Sequence, residues 1–261
     1  MNRIEKKFQS LRKEKQKALI AFITAGYPDL ATTKKLALGF AQAGVDILEL
    51  GVPFSDPLAD GPIIQEASGV ALRRGVNLPK ILSLVKDLRA KTEMPIILMT
   101  YYNPLFCFGE ERFIKIAAAC GVDGIIVPDL PPEEAKMLLK AAKRYDLDVI
   151  CFISPTTSLK RMKYIVKVSR GFIYYVSLTG VTGPRQSLSP HLAGQLRVVK
   201  RLTKKPVCAG FGISKPSQVK EIFQVADGAI IGSAIVKKIK DNLGRPDLIK
   251  RVVNFIRSLT L

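Results

Sequence analysis

Histidine is nearly missing from the chain. His191 is the only one, which excludes a multi-histidine metal centre and any catalytic network built on several imidazoles. Cysteine is sparse as well. Cys107, Cys120, Cys151 and Cys208 stand far apart in apolar runs with no C-x-x-C pair, the pattern of reduced, mostly buried thiols in a cytoplasmic protein. No uninterrupted apolar stretch approaches the roughly 20 residues of a membrane span. The opening Met1-Asn2-Arg3-Ile4-Glu5-Lys6-Lys7 lacks the apolar core of a signal peptide. Acidic residues are the last shortage: 22 Asp and Glu face 41 Lys and Arg, for a net charge of +19. That excess excludes an acidic solvating tail and favours anionic partners such as phosphorylated metabolites or an acidic protein face. Nucleic acid is disfavoured, because no recognition helix, aromatic platform or single contiguous basic block is present.

What remains is an ordinary folding composition. Of 261 residues, 48% are hydrophobic and 24% charged, which suits a folded soluble domain rather than a disordered chain. Eight short apolar runs recur along it: 18–25, 46–52, 95–101, 124–129, 148–154, 172–178, 206–213 and 229–233. Several are almost continuously hydrophobic, as in parallel strands covered on both faces. Amphipathic, Lys-rich stretches separate them, at 32–43, 78–90, 110–120, 132–145, 159–168, 192–202, 216–225 and 246–259, with Thr32 or Thr33 the candidate cap of the first. Repeated strand–helix units impose right-handed crossovers and a parallel sheet. Eight of them in about 250 residues predict a closed α/β barrel, (β/α)8 or TIM barrel, as one domain over 1–261. The first fifteen residues form an extra basic amphipathic helix, expected to close the bottom of the barrel. Two connections are long, 53–77 after the second run and 179–190 after the sixth. Both follow the C-terminal ends of strands, the face on which such barrels place their chemistry.

Three features carry chemistry. In Asp46-Ile47-Leu48-Glu49-Leu50-Gly51-Val52, strand alternation sends Ile47, Glu49 and Gly51 into the lumen and Leu48 and Leu50 toward the helices. A carboxyl group in a lumen without basic neighbours holds its proton to higher pH, which general acid–base work needs. Asp60 follows in Pro53-Phe54-Ser55-Asp56-Pro57-Leu58-Ala59-Asp60-Gly61-Pro62, a segment able to fold a carboxylate over the mouth; Asp56 reads first as a turn former. Glycine-rich turns close consecutive strands at 180–183, 210–214 and 232–234, where backbone N–H groups and a helix N-terminus cradle a phosphate. Of Tyr174 and Tyr175, alternation allows only one into the lumen. His191, after Pro190, reads as an exposed residue at a helix start.

The segment 48–65, LELGVPFSDPLADGPIIQ, resembles the signature of the tryptophan synthase alpha subunit family. Further segments agree in order: AFITAGYP from 21, MTYYNP from 99, VPDLPPEE from 127, SPTT from 154, YYVSLTGVTG from 174, GFGIS from 210 and DGAIIGSAIV from 227. The resemblance implies retro-aldol cleavage of indole-3-glycerol phosphate to indole and glyceraldehyde 3-phosphate, with no metal and no cofactor in this chain. It implies catalytic roles for Glu49 and Asp60, a phosphate cradle at Gly183, Gly212, Gly232 and Ser233, and an indole pocket at Phe22, Tyr174, Thr182 and Phe211. It implies as partner a beta subunit carrying pyridoxal phosphate, in an alpha-beta-beta-alpha heterotetramer, with Asp56 and Pro57 at the interface. Thr179 and Pro184 depart from the family pattern. They are the basis for an alternative, a catalytically weak subunit that mainly activates its partner.

Overall fold

The computed structural model describes residues 1–176, 190–210 and 212–259. Nine parallel strands occur there: β1 (Ala18–Thr24), β2 (Ile47–Gly51), β3 (Ile96–Met99), β4 (Gly124–Ile126), β5 (Asp148–Val149), β6 (Cys151–Ile153), β7 (Ile173–Val176), β8 (Val207–Gly210) and β9 (Gly228–Ile231). Their order is β5-β4-β3-β2-β1-β9-β8-β7-β6. The two outermost strands are halves of one run, parted only by Ile150. The first half pairs with β4 and the second with β7. At the junction Ile150 N–H still donates to Ile125 of the β4 side at 3.0 Å, while Cys151 N–H turns to Ser169 Oγ at 3.1 Å. The sheet therefore closes through a single split strand, and the eight apolar runs become the eight staves of the expected barrel.

Twelve helices accompany the strands: α1 (Arg3–Lys13), α2 (Leu30–Gln42), α3 (Pro62–Arg73), α4 (Leu78–Arg89), α5 (Tyr102–Phe108), α6 (Glu110–Cys120), α7 (Lys136–Arg144), α8 (Leu159–Val168), α9 (Pro190–Leu202), α10 (Pro216–Val225), α11 (Ser233–Lys240) and α12 (Leu248–Leu259). None is long and apolar enough to cross a membrane. Three were not expected. The long connection after β2 holds α3 behind a shorter loop, because only its Gly61-Pro62 start reads as a turn. α5 is a single short piece containing Pro104, and α11 starts directly at the end of β9. Several helix starts moved: α9 begins at Pro190 rather than 192 and α12 at Leu248 rather than 246, and two further shifts have a visible cause. α2 is capped by Asp29, whose carboxylate accepts from Thr32 N–H at 2.7 Å, not by Thr32 or Thr33. α7 begins at Lys136 rather than Pro132, since 131–135 forms a separate turn in which Glu134 and Ala135 donate to the Pro131 carbonyl. The thiols are also less buried than expected: Cys151 and Cys208 are buried, Cys120 is half-buried and Cys107, on α5, is exposed.

The barrel has two apolar layers. Leu48 and Leu50 join the outer one, between strands and helices. Ile20, Ile47, Ile97, Ile126, Ile150 and Ile230 fill the lumen, together with Ile4, Phe8 and Leu11 of α1. Those three recur at helical spacing, so one face of α1 is apolar. Asn2 caps it by accepting from Glu5 N–H at 3.1 Å, and Arg12 and Lys13 suit its C-terminal dipole. Phe8 stacks on Phe172 of the barrel floor at 5.8 Å. Arg3 reaches buried Asp123 at 3.2 Å, where Arg89 also pairs at 2.8 Å. α1 is thus the bottom plug, and the other end of the lumen is left for chemistry. Phe8→Ala is expected to cost about 3–5 kcal/mol of stability, read as a lower urea midpoint at unchanged slope. A change under about 0.5 kcal/mol would remove α1 from the core.

Candidate active site

Glu49 lies mid-strand in β2, level with Phe22 on β1 and Ile97 on β3. Its side chain enters the lumen, as alternation required, and is 1% exposed. Among the described residues neither carboxyl oxygen has a hydrogen-bond partner. An ionised carboxylate so placed would lose its hydration with nothing in return. Burial, and secondarily the charge of Asp60, push its pKa up from 4.5 to about 8. At neutral pH Glu49 is a loaded acid.

Asp60 sits at the end of the 52–61 loop, just before α3, and leans over the mouth. Its N–H donates to the Pro57 carbonyl at 3.0 Å, and its carbonyl accepts from Gln65 Nε2 at 2.8 Å. Burial raises its pKa to about 6, against a lowering by the Tyr101 hydroxyl that donates to it. The same hydroxyl accepts from Ala59 N–H at 2.9 Å, and the Tyr101 ring packs on Phe54 at 5.3 Å. Tyr101 therefore ties the loop to the end of β3 and holds the Asp60 carboxylate ionised at neutral pH. Sequence reasoning missed it. Its only signal was the adjacent pair Tyr101-Tyr102, and nothing local says which phenol turns inward. Thr24 was missed too; its buried hydroxyl has no partner among the described residues and lines the same cleft.

That cleft is bounded by Phe22, Thr24, Gly51, Asp60, Ile64 and Tyr101 around a void of about 10 Å³, room for one water. A side chain at Gly51 would come within 2.6 Å of the Phe22 ring, so glycine there admits the aromatic. Tyr174 is the lumen-facing tyrosine. It packs edge-on against Phe152 at 4.7 Å, and burial followed by Glu49's charge holds its phenol well above the ordinary value. Tyr175 faces the outer core. Of the phosphate candidates, Gly212 adopts a φ of +57° with open space beside it. Gly232 caps α11 without a side-chain bond, so the N–H groups at Ser233 and Ala234 stand at a helix start suited to an anion. Thr182, Gly183 and Phe211, with Thr179 and Pro184, lie outside the described residues. A roomier cavity of about 230 Å³ lies in the wall between β4 and β6, under α7 and α8, with Pro128, Leu138, Phe152 and Thr157 among its lining. Neither carboxylate borders it.

Residues 8–258 match the family model for the tryptophan synthase alpha chain. A tryptophan synthase alpha chain from Geotalea uraniireducens is 48% identical over 99% of this chain and 97% of its own length. One from a Thermoanaerobacter species is 44% identical over 99% and 98%. A crystal structure of tryptophan synthase subunit alpha from Legionella pneumophila superposes with a TM-score of 0.93 at 36% identity, covering 100% of this chain and 97% of that one. This chain belongs to the tryptophan synthase alpha chain family. The known role of that family is the cleavage of indole-3-glycerol phosphate; its members pair with a beta subunit, which carries the pyridoxal phosphate.

For an alpha chain, the rim of the mouth matters as much as the lumen. Asp56 is exposed and accepts from Ser55 Oγ, and Pro57 is half-buried beside it. Leu58 is 92% exposed, Phe106 64%, Met137 67% and Leu159 53%. All four follow C-terminal strand ends, on the face that holds Glu49 and Asp60.

The unpaired burial of Glu49 generates a stability prediction. The native state keeps its proton to about 8, whereas the unfolded carboxyl ionises near its ordinary value. The native state binds more protons, so this group's contribution declines as pH rises from about 4.5 to about 8. Glu49→Gln is therefore expected to be more stable than the parent at pH 8, by about 2–4 kcal/mol, and to match it near pH 4. Urea titrations at the two pH values read this, and a pH-independent difference would contradict it.

Proposed function

We propose that Glu49 and Asp60 cleave indole-3-glycerol phosphate in this chain by a retro-aldol step. Glu49 gives its proton to C3 of the indole ring. The ring becomes cationic, and the Asp60 carboxylate accepts a hydrogen bond from its N–H and offsets the charge. The ionised Glu49 then takes the proton of the neighbouring side-chain hydroxyl. The bond from C3 to that carbon breaks, its electron pair returns to the ring, and indole and glyceraldehyde 3-phosphate result. Glu49 ends the cycle protonated, as it began. The amides at Gly212, Gly232 and Ser233, with Gly183, hold the phosphate; Phe22, Tyr174, Thr182 and Phe211 enclose the ring. The observation that carries this reading is a fully buried, unpartnered carboxyl within electrostatic reach of a second one.

The void beside Asp60 is too small for an indole ring, so entry requires the exposed 53–61 loop to swing outward and return. Asp56, Pro57 and Leu58 on that loop are the first contacts we assign to the beta subunit, which links partner docking to closure. We place this chemistry in the cytoplasm and in one domain spanning 1–261. An activator with little lyase activity would have no use for both carboxyls, and their retention favours the enzyme.

Glu49→Gln is expected to lower indole release from indole-3-glycerol phosphate by about 10²–10⁴-fold with the fold intact. Unchanged turnover would remove Glu49 from the mechanism. Activity of the parent needs Glu49 protonated and Asp60 ionised. The kcat/KM profile is therefore expected to fall below about 6 and above about 8, the two limbs belonging to the coupled pair. A profile flat from 5 to 9 would contradict the assignment.

A further inference from the structure

We propose that Gly51 is a positioning residue for the Glu49 carboxyl: its missing side chain leaves a notch that seats the Phe22 ring on the mouth side of that carboxyl and keeps water from it. The inference deepens the assignment of Glu49 made above and rests on that reading for its activity readout.

Glycine inside a strand weakens it and marks a close approach by another group. Gly51 ends β2 in regular pairing with its neighbours, level with Thr24 on β1 and Met99 on β3. Its φ is not positive, so the backbone there suits any residue, and room is what the position supplies. A Cβ at 51 would stand 2.6 Å from Phe22 Cζ and 2.7 Å from Cε2, at the tip of the ring. At the root of the ring, a Cβ on Gly232 would stand 3.2 Å from Cδ1 and 3.4 Å from Phe22 Cβ. One glycine on β2 and one just past β9 thus bracket a single aromatic. The arrangement recurs at the end of β8, where a Cβ on Gly210 would stand 2.8 Å from the Tyr174 hydroxyl.

The register gives the direction of the ring. Phe22 leaves β1 level with Glu49, yet its tip lies against Gly51, two residues nearer the mouth on the strand that carries Glu49. The ring therefore slants across β2 on the mouth side of the carboxyl. Glu49 is 1% exposed and Phe22 5%. Burial acts first on the Glu49 proton and the charge of Asp60 second. The Tyr174 phenol on β7 and the Cys208 thiol on β8 are held well above their ordinary values by burial and stay neutral. Dryness governs the proton, so the group that covers the carboxyl governs it too. Carbon atoms in contact rest about 3.5–4.0 Å apart, so Gly51→Ala must move the ring tip by about 1 Å. That tip is the free end of a side chain. The ring yields rather than the strand, and the carboxyl is uncovered.

The test uses the full chain without substrate, with the carboxyl carbon of glutamate labelled by ¹³C. In Gly51→Ala the acid dissociation constant of Glu49 should rise about 10–100-fold, and the alkaline limb of kcat/KM should move by the same factor. Gly39→Ala is the control. A Cβ there meets Val253 Cγ2 of the outer layer at the same 2.6 Å, so it should lower stability and leave the Glu49 midpoint where it was. Phe22→Leu, whose side chain is too short to reach Gly51, should uncover the carboxyl by itself. Adding Gly51→Ala to it should then change the constant by no more than about twofold. An unchanged midpoint in folded Gly51→Ala would overturn the proposal, as would a shift of equal size in Gly39→Ala. A Gly51→Ala effect as large beside Phe22→Leu as in the parent would also overturn it, since Gly51 would then act without the ring. Should Gly51→Ala fold poorly, an unchanged midpoint in Phe22→Leu decides against the proposal. The titration needs no turnover, so parental activity in Glu49→Gln would remove the catalytic reading and leave this result standing.

Discussion

The architecture turns on a carboxyl group deprived of water and of partners. Glu49 is held mid-strand on β2, where alternation directs it into the lumen, level with the apolar Phe22 and Ile97 of the flanking strands. Among the described residues nothing donates to it, so burial favours the acid and penalises the carboxylate. Everything else serves that condition. The split strand at Ile150 closes the wall, and α1 seals the floor with Ile4, Phe8 and Leu11. The 52–61 loop lies over the opposite end, where Asp60 borders the cleft with Phe22, Thr24 and Tyr101.

Asp60 is tuned the other way. It is also raised by burial, yet Tyr101 donates to it and keeps it ionised near neutral pH. The two carboxyls thus differ because, among the described residues, one has a hydrogen-bond donor and the other has none. The loop that brings Asp60 also carries Asp56, Pro57 and Leu58 at the rim, so the strand-end scaffold, the second carboxyl and the docking surface are one continuous segment.

Much of this was legible in the residues. The period-two alternation of 46–52 placed Glu49 inward, because a parallel barrel strand has only two faces. The eight apolar runs foretold the staves, and the apolar spacing of Ile4, Phe8 and Leu11 foretold the plug. Other features depend on neighbours distant in sequence. Tyr101 acquires its role from Ala59 and Asp60 on a different connection, and the split at Ile150 comes from Ser169 taking over a strand hydrogen bond. α3 was hidden by the turn chemistry of Gly61-Pro62, and Asp29 outcompeted the threonines as a cap because its carboxylate reaches both Thr32 N–H and Thr32 Oγ1.

The most direct test is to watch the Glu49 side chain titrate. With glutamate labelled by ¹³C at Cδ, the resonance absent from Glu49→Gln identifies the residue. It is expected to report a protonated carboxyl at pH 7 and a midpoint near 8. A Glu49 signal already fully ionised at pH 6 would show that the lumen does not hold the proton, and the account would fail at its base.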